Sequence, residues 1–347
     1  MQFFEQLIGT QTGLLISFAA TAAVVVLAGI RLSIYGDALG DRTGLGSGLV
    51  GLVFLAAVTS LPELVVSLTS VIQCTDPLHG ADLATGNMLG SNIFNLLILA
   101  LAALLFPYKF DPGKLESSHT DSTVYGLILL VVFAAAFFVA GKTGFLAPGL
   151  HCSWGVLLLP IAYAVFLRRE HRQQKETPPD DHLPSEQVLA HLPASRFYGV
   201  LGGLCLLIIG GGIMLSILGS RMALPPEQGG FGLEASLIGT IFLAISTSLP
   251  ELVISFASVR MGFLDMAIGN VLGSNMFNLL IIFAADVAMR GGSLLHHASS
   301  KHWVSVGQIL ILTLLAALLL RSRKQTTKIA TAAAMLALYI TAVTFLI

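Results

Sequence analysis

The sequence predicts an all-α polytopic membrane protein with about ten transmembrane helices arranged as two inverted five-helix repeats. Three observations predict it. Of the 347 residues, 55% are hydrophobic and only 11% charged, with a mean hydropathy of +0.85; an ordinary soluble domain is roughly a quarter charged. Apolar runs of about 20 residues, enough to cross the hydrocarbon core, recur along the whole length. Long words of the first half return in the second. A soluble globular fold does not fit this composition, and the short alternating segments of a β-barrel are absent.

The apolar segments, in order, are 12–35, 44–73, 81–107, 122–140, 145–167, 197–219, 233–259, 264–289, 303–320 and 327–347. The first follows MQFFEQLIGTQTG, which lacks Lys, Arg and a small-residue cleavage site, and it reads as a retained helix rather than a signal peptide. The second carries AAVTSLPELVVS and the third GNMLGSNIFNLLI. After the fifth comes the one clearly solvated stretch, RREHRQQKETPPDDHLPSEQVLAHLPASR at 168–196, whose Pro, His and charge content marks a linker too short for a folded domain. Its histidines read as solvated loop residues. The seventh segment holds AISTSLPELVIS, and the eighth GNVLGSNMFNLLI. The expected divisions are therefore 1–167, 168–196 and 197–347.

Charge placement orients the chain. With the N-terminus outside, fourteen of the 18 lysines and arginines fall in inner connections, which puts both termini outside and the 168–196 loop in the cytoplasm. The formal net charge of -1 says little beside that distribution. Cys74, Cys152 and Cys205 have no metal-ligand spacing and suggest no disulfide framework.

Three words are duplicated. GIRLSIYG at 29–36 matches GIMLSILG at 212–219, the SLPE words align Glu63 with Glu251, and GNMLGSNIFNLLI at 86–98 matches GNVLGSNMFNLLI at 269–281. The first half carries five extra residues, in QCTDPLHGAD. Two halves with five helices each must sit in the membrane with opposite orientation, the arrangement of many secondary transporters whose substrate site lies where the halves meet.

In TSLPE, Thr59, Ser60 and Glu63 stand at i, i+1 and i+4 and share roughly one helix face. Pro62 lacks an N–H and crowds the carbonyl of Val58, releasing it from helical bonding. Thr247, Ser248, Glu251 and the carbonyl of Ser246, freed by Pro250, repeat the arrangement. Such oxygens are tolerated in lipid only when something satisfies them or they line a wet cavity. In the partner word, Asn87, Ser91 and Asn95 form a stripe at i, i+4 and i+8, repeated by Asn270, Ser274 and Asn278. Gly86 with Gly90, and Gly269 with Gly273, are small-xxx-small pairs that permit close helix approach. Any single Ser, Thr or Asn here is commonly interhelical glue. A mid-membrane glutamate costs on the order of 2.5 kcal/mol or more and marks function by default. Two inward carboxylates among neutral oxygens, with no soft ligand, describe a site for hard cations such as calcium or sodium.

These words resemble the alpha repeats of the sodium/calcium exchanger family, within the calcium/cation antiporter superfamily, of prokaryotic type. The resemblance covers essentially the whole chain, with alpha motifs at 56–98 and 244–281. It implies an antiporter, exchanging calcium or a similar divalent cation for sodium or protons, in the cell (inner) membrane, with no cofactor. It further implies that helices 2, 3, 7 and 8 surround the cation sites at mid-membrane and that helices 1 and 6 slide as gates. Carried over by position, the ligands would be Thr59, Ser60, Glu63, Ser91 and Asn95 in one repeat, and Thr247, Ser248, Glu251, Ser274 and Asn278 in the other. The carbonyls of Ala56 and Ala244 would line sodium sites. Two departures stand out: Val58 and Ser246 occupy positions where many relatives have glycine, and Asn278 stands where some have aspartate. The linker lacks room for the calcium-sensing domains of animal exchangers.

Other classes fit less well. There is no HExxH, and Asp37 and Asp41 read as residues of a loop end, not a catalytic dyad. A cation channel would also use oxygen-lined pores but needs no counter-ion. His296, His297 and His302 suggest either a metal gate or, more simply, interfacial loop residues. The expected partners are small inorganic cations and membrane lipid, with no nucleic acid; the oligomeric state is left open.

Overall fold

The computed structural model describes residues 9–74, 76–110, 118–143, 152–174, 189, 192–231, 247–290 and 292–345. Ten helices span them: α1 Gln11–Thr43, α2 Ser47–Gln73, α3 Pro77–Leu105, α4 Ser118–Thr143, α5 Leu158–Gln174, α6 Ala194–Ala223, α7 Leu249–Met261, α8 Leu264–Ala288, α9 His302–Arg321 and α10 Gln325–Phe345. Among the described residues α1, α2, α3, α4, α6, α8 and α9 are each long and apolar enough to cross a membrane. Local chemistry sets several ends. Thr10 Oγ1 accepts from Gly13 N at 3.1 Å to cap α1, and Gly44 closes that helix at φ 68°. Asp76 accepts from Leu78 N at 3.0 Å, with Pro77 in the first turn of α3.

α3 and α8 form the centre, and their apolar faces pack with α2, α4, α9 and α10 into the main core. α1 and α6 pair with one another on the flank of α2 and α7. Close backbone approach makes this packing possible. A Cβ on Gly273 would sit 2.0 Å from the carbonyl oxygen of Leu52, and one on Gly269 2.4 Å from that of Gly48. The α2 stretch they meet, Val50–Leu55, is wound as a π-helix immediately before TSLPE; such widened turns are rare and concentrate at functional sites. On the flank, a Cβ on Gly212 of α6 would meet Pro62 Cγ at 2.4 Å and Pro250 Cγ at 3.3 Å, so the prolines of both repeats come together beneath one glycine.

The inverted arrangement is visible in the contacts at the two ends. At one face Lys109, after α3, donates to the carbonyls of Val259 and Arg260 at 2.8 and 2.7 Å, closing α7, while Lys328 donates to Phe110 O. At the opposite face Gln11 donates to Gly230 O at 2.6 Å, and Asp286 accepts from Ser153 N at 2.8 Å and Ser293 Oγ at 2.9 Å. A matched pair of clasps joins the halves. Asp82 and Asp265 each stand four residues before the first glycine of GN-x-x-GSN, and His302 and His119 open α9 and α4 in equivalent positions. Asp82 of α3 meets His302 at 3.2 Å, and Asp265 of α8 meets His119 at 2.6 Å. α3 and α8 are thus each held near their N-terminal ends by the other repeat.

Several expected boundaries move. α1 continues through Asp37 and Asp41, so these are helical residues and not a loop end. α5 runs on through 168–174, because Glu170 turns inward and accepts from Ser122 Oγ at 2.8 Å, leaving Arg168, Arg169 and Arg172 in the same stretch exposed or half-buried. The solvated linker therefore begins later than 168; its residues 175–188, 190 and 191 lie outside those described, as do 232–246 of the seventh segment. His296 and His297 bond Ala140 O and Ser293 O, each at 2.9 Å. Among the described residues no three His, Cys, Asp or Glu side chains gather as a metal site, which removes a histidine gate there.

The Gly273 contact gives a direct test. Gly273→Val forces a branched side chain against Leu52 backbone, and overpacking of this kind costs about 1–3 kcal/mol; thermal unfolding in detergent is expected to show a clearly lower midpoint. Gly307→Ala, where no described atom lies within 4 Å, is expected to leave it unchanged or raised.

Candidate cation site

Sequence places the polar residues on four helices, and packing turns them towards each other. Thr59, Ser60 and Glu63 lie at mid-α2, and Ser91 and Asn95 lie one turn apart on α3. Thr247 and Ser248 precede α7, whose first turn contains Glu251; Ser274 and Asn278 lie on α8. All ten are buried, the two glutamates to 1% exposure. Ala56 is buried and its carbonyl accepts from Thr59 Oγ1 at 3.3 Å, whereas Ala244 lies outside the described residues.

The hydrogen bonds cross between repeats in reciprocal fashion. Ser60 Oγ of the first repeat donates to Glu251 Oε1 of the second at 3.2 Å, and Ser248 Oγ of the second donates to Glu63 Oε1 of the first at 3.3 Å. Ser248 Oγ also lies 3.4 Å from Ser91 Oγ, while Thr59 Oγ1 lies 3.4 Å from Ser274 Oγ and 3.5 Å from Asn270 Oδ1. The amide nitrogens of Asn87 and Asn270, the first members of each stripe, bond within their own repeat. Asn87 Nδ2 donates to Ser67 Oγ at 3.1 Å and to the Glu63 carbonyl at 3.4 Å; Asn270 Nδ2 donates to Ser255 Oγ at 3.0 Å. They tie each stripe helix to the glutamate helix beside it.

The two copies of TSLPE differ locally. Pro62 sits inside α2, preceded by the π-helical turn, whereas Pro250 occupies the first turn of α7, where its missing N–H costs nothing. Glu251 therefore lies at a helix N-terminus, which favours negative charge. Val58 is buried, and Ser246 falls outside the described residues.

The electrostatics are one-sided. Among the described residues the only buried Lys or Arg is Lys328, which donates to Phe110 O and not to either glutamate. The acceptors Glu63 Oε2, Glu251 Oε2, Asn278 Oδ1 and Asn95 Oδ1 are buried without a hydrogen-bond partner. Leaving a buried acceptor unmet costs about 1–3 kcal/mol, more when charged, so a cluster of them needs a positive ligand. Hard, oxygen-only donors from carboxylates, hydroxyls and amides suit calcium or sodium as cargo. Two residues that sequence reasoning passed over belong to this network, Asn92 and Asn275, the last letters of GSN in each repeat. Asn278 Nδ2 donates to Asn92 Oδ1 at 2.9 Å, and Asn275 Nδ2 to Asn92 O at 3.2 Å. Their signal was present in the duplicated word, three residues before Asn95 and Asn278.

The chain is similar to several known proteins. The chain is 34% identical to "Inner membrane protein YrbG" of Escherichia coli K12, over 78% of each chain. It is 30% identical to "Putative antiporter CaxA" of Alkalimonas amylolytica over 78% of this chain and 82% of that one. "Sodium/calcium exchanger MaX1" of Methanosarcina acetivorans is 26% identical over 70% of this chain and 74% of that protein. Among solved structures, the sodium-calcium exchanger NCX_Mj soaked with 100 mM Na+ and 10 mM Sr2+ superposes with TM-score 0.69, covering 95% of this chain and 97% of that one. At 22% identity that likeness establishes the fold alone. The family described as sodium/calcium exchanger protein matches residues 13–168 and 197–347, both halves of the inverted repeat, and this chain belongs to it.

Proposed function

We propose that the chain is a secondary antiporter that exchanges calcium, or a similar divalent cation, for sodium by alternating access, through a single mid-membrane site shared by its two repeats. The observation that carries this reading is the reciprocal pairing of Ser60 with Glu251 and Ser248 with Glu63 around buried carboxylate oxygens that have no other partner. Each repeat supplies half of the charge. A divalent ion, or two monovalent ions, balances the pair; an unbalanced pair of carboxylates is strongly disfavoured at low dielectric. Competition for one set of oxygens is what couples the two flows, since the site empties of one cation only as it fills with the other.

Thr59, Ser60, Glu63, Ser91, Asn95, Thr247, Ser248, Glu251, Ser274 and Asn278 are the proposed ligands, joined by the carbonyls of Ala56 and Ala244. In the membrane, residues 1–167 and 197–347 are the two repeats; both termini lie outside and the connection between repeats is cytoplasmic, on the charge distribution. The relatives' printed names point the same way: "Sodium/calcium exchanger MaX1" for the ion pair, and "Inner membrane protein YrbG" for the location. Proton coupling is the second reading, and the charge count favours giving it a place. With Asn at 278, a third sodium would leave excess positive charge in the site, whereas two protons exchange neutrally for one calcium.

Three measurements bear on this. Glu63→Gln and Glu251→Gln each remove half of the counter-charge, and calcium exchange in proteoliposomes is expected to fall by about 100-fold or more, since breaking a buried charge pairing costs ~3–5 kcal/mol. Thermal stability should be kept, because the neutral isostere relieves carboxylate burial. A sodium gradient is expected to drive calcium uptake with pH clamped on both sides; uptake that follows only a proton gradient would establish the second reading. Asn278→Asp adds a third carboxylate, and like charges at close range raise one another's affinity for protons. The expected outcome is altered pH or sodium dependence with calcium selectivity kept, and unchanged profiles would remove Asn278 from the site.

A further inference from the structure

Asparagine is an ambiguous cation ligand, because its side chain has an oxygen at one terminus and an NH2 at the other. A buried asparagine offers its oxygen to a cation only if something holds the NH2 end. Asn278 has such a holder: its Nδ2 donates to Asn92 Oδ1 at 2.9 Å across the α3–α8 crossing, and its Oδ1 is buried with no partner. Asn92 is itself 1% exposed. The repeat places an equivalent pair in the other half, with Asn275 corresponding to Asn92 and Asn95 to Asn278. There, Asn275 Nδ2 is fixed on Asn92 O at 3.2 Å, and Asn275 Oδ1, an acceptor, and Asn95 Nδ2, a donor, are both buried and unpartnered.

We infer that Asn92 and Asn275 are positioning residues that set the polarity of the cation site. Asn92 fixes the amide of Asn278, with the carbonyl oxygen towards the cation and the NH2 away from it; Asn275, its equivalent in the repeat, is assigned the same part towards Asn95 by that correspondence alone. Neither touches the ion. Removing Asn92 leaves Asn278 free to present NH2, which repels a cation. This inference rests on the proposed cation site and adds to it the residues that decide which end of each amide faces inward. It also assigns a distinct role to the asparagine of GSN: the adjacent serine supplies a hydroxyl, and the asparagine orients an amide on the neighbouring helix.

The test uses the chemistry of a carboxylate, which presents an oxygen either way up. Equilibrium calcium binding is measured by radiolabelled calcium on the purified full chain for wild type, Asn92→Ala, Asn278→Asp and the double variant, with thermal unfolding recorded for all four. In the native background Asn92→Ala is expected to raise the calcium dissociation constant about tenfold, the size of one lost oriented hydrogen bond. In the Asn278→Asp background the same substitution is expected to cost less than about twofold. An equal factor in both backgrounds, or no change in the native one, overturns the inference, because a merely structural Asn92 would act alike in each. Should Asn92→Ala fold poorly, Asn92→Leu, closer in volume, replaces it in the same cycle. Asn275→Ala with Asn95→Asp repeats the comparison in the other half. The underlying site is tested apart from this: calcium binding that survives Glu63→Gln and Glu251→Gln removes the site, whereas binding lost in those variants with equal Asn92 factors removes only the positioning role.

Discussion

The rest of the structure depends on two glutamates buried where no described basic side chain reaches them. Glu63 and Glu251 come from opposite repeats, each is 1% exposed, and each receives a hydroxyl from the serine of the other's motif. A carboxylate in such surroundings is tolerated only if cations or protons neutralise it. This constraint accounts for the company around the pair. Hydroxyls and amides satisfy part of each oxygen without bringing charge, and glycines at 269, 273 and 212 let backbones close in so that four helices converge. The cross-repeat bonding also means that the proposed site draws on both halves, so on that reading the duplication is functional as well as architectural.

The duplicated motifs lie deepest, and polar clasps lie at the ends. Asp82 with His302, and Asp265 with His119, clasp α3 and α8 near their N-terminal ends, one pair at each membrane face. The glycine faces of α8 are met by the π-helical turn of α2, which delivers Thr59 and Ser60 to Ser274 and Glu251. α1 and α6 lie outside this frame, in contact with it through Gly212 over the two prolines. The frame is therefore held by polar clasps at its ends and backbone contacts at its middle, while the flanking pair rests on small, smooth surfaces.

Much of this was legible in the sequence, for physical reasons. Long apolar runs report spans because lipid leaves the backbone no alternative to helix, and the repeated words gave inverted topology through the odd number of helices per half. Glu63 and Glu251 were evident because charge in a membrane needs a purpose. What escaped were interactions set by packing direction and not by residue type. Nothing in local composition announces that α5 continues through Glu170, or that Val50–Leu55 winds as a π-helix, since both depend on neighbours supplied by α4 and α8. Asn92 and Asn275 were hidden because they lie off the i, i+4, i+8 stripe, and the Asp–His clasps because their partners come from the other half of the chain. In both cases the repeat itself held the signal: a polar residue recurring at equivalent positions on a buried helix.

The proposed site requires one cation to bridge Glu63 and Glu251. Anomalous diffraction from crystals of the protein grown with calcium would locate it. A calcium peak is expected between α2, α3, α7 and α8, with oxygens of both glutamates at about 2.3–2.6 Å. A calcium peak that touches neither glutamate, such as one held at Asp286 or Asp82 near a membrane face, would contradict it.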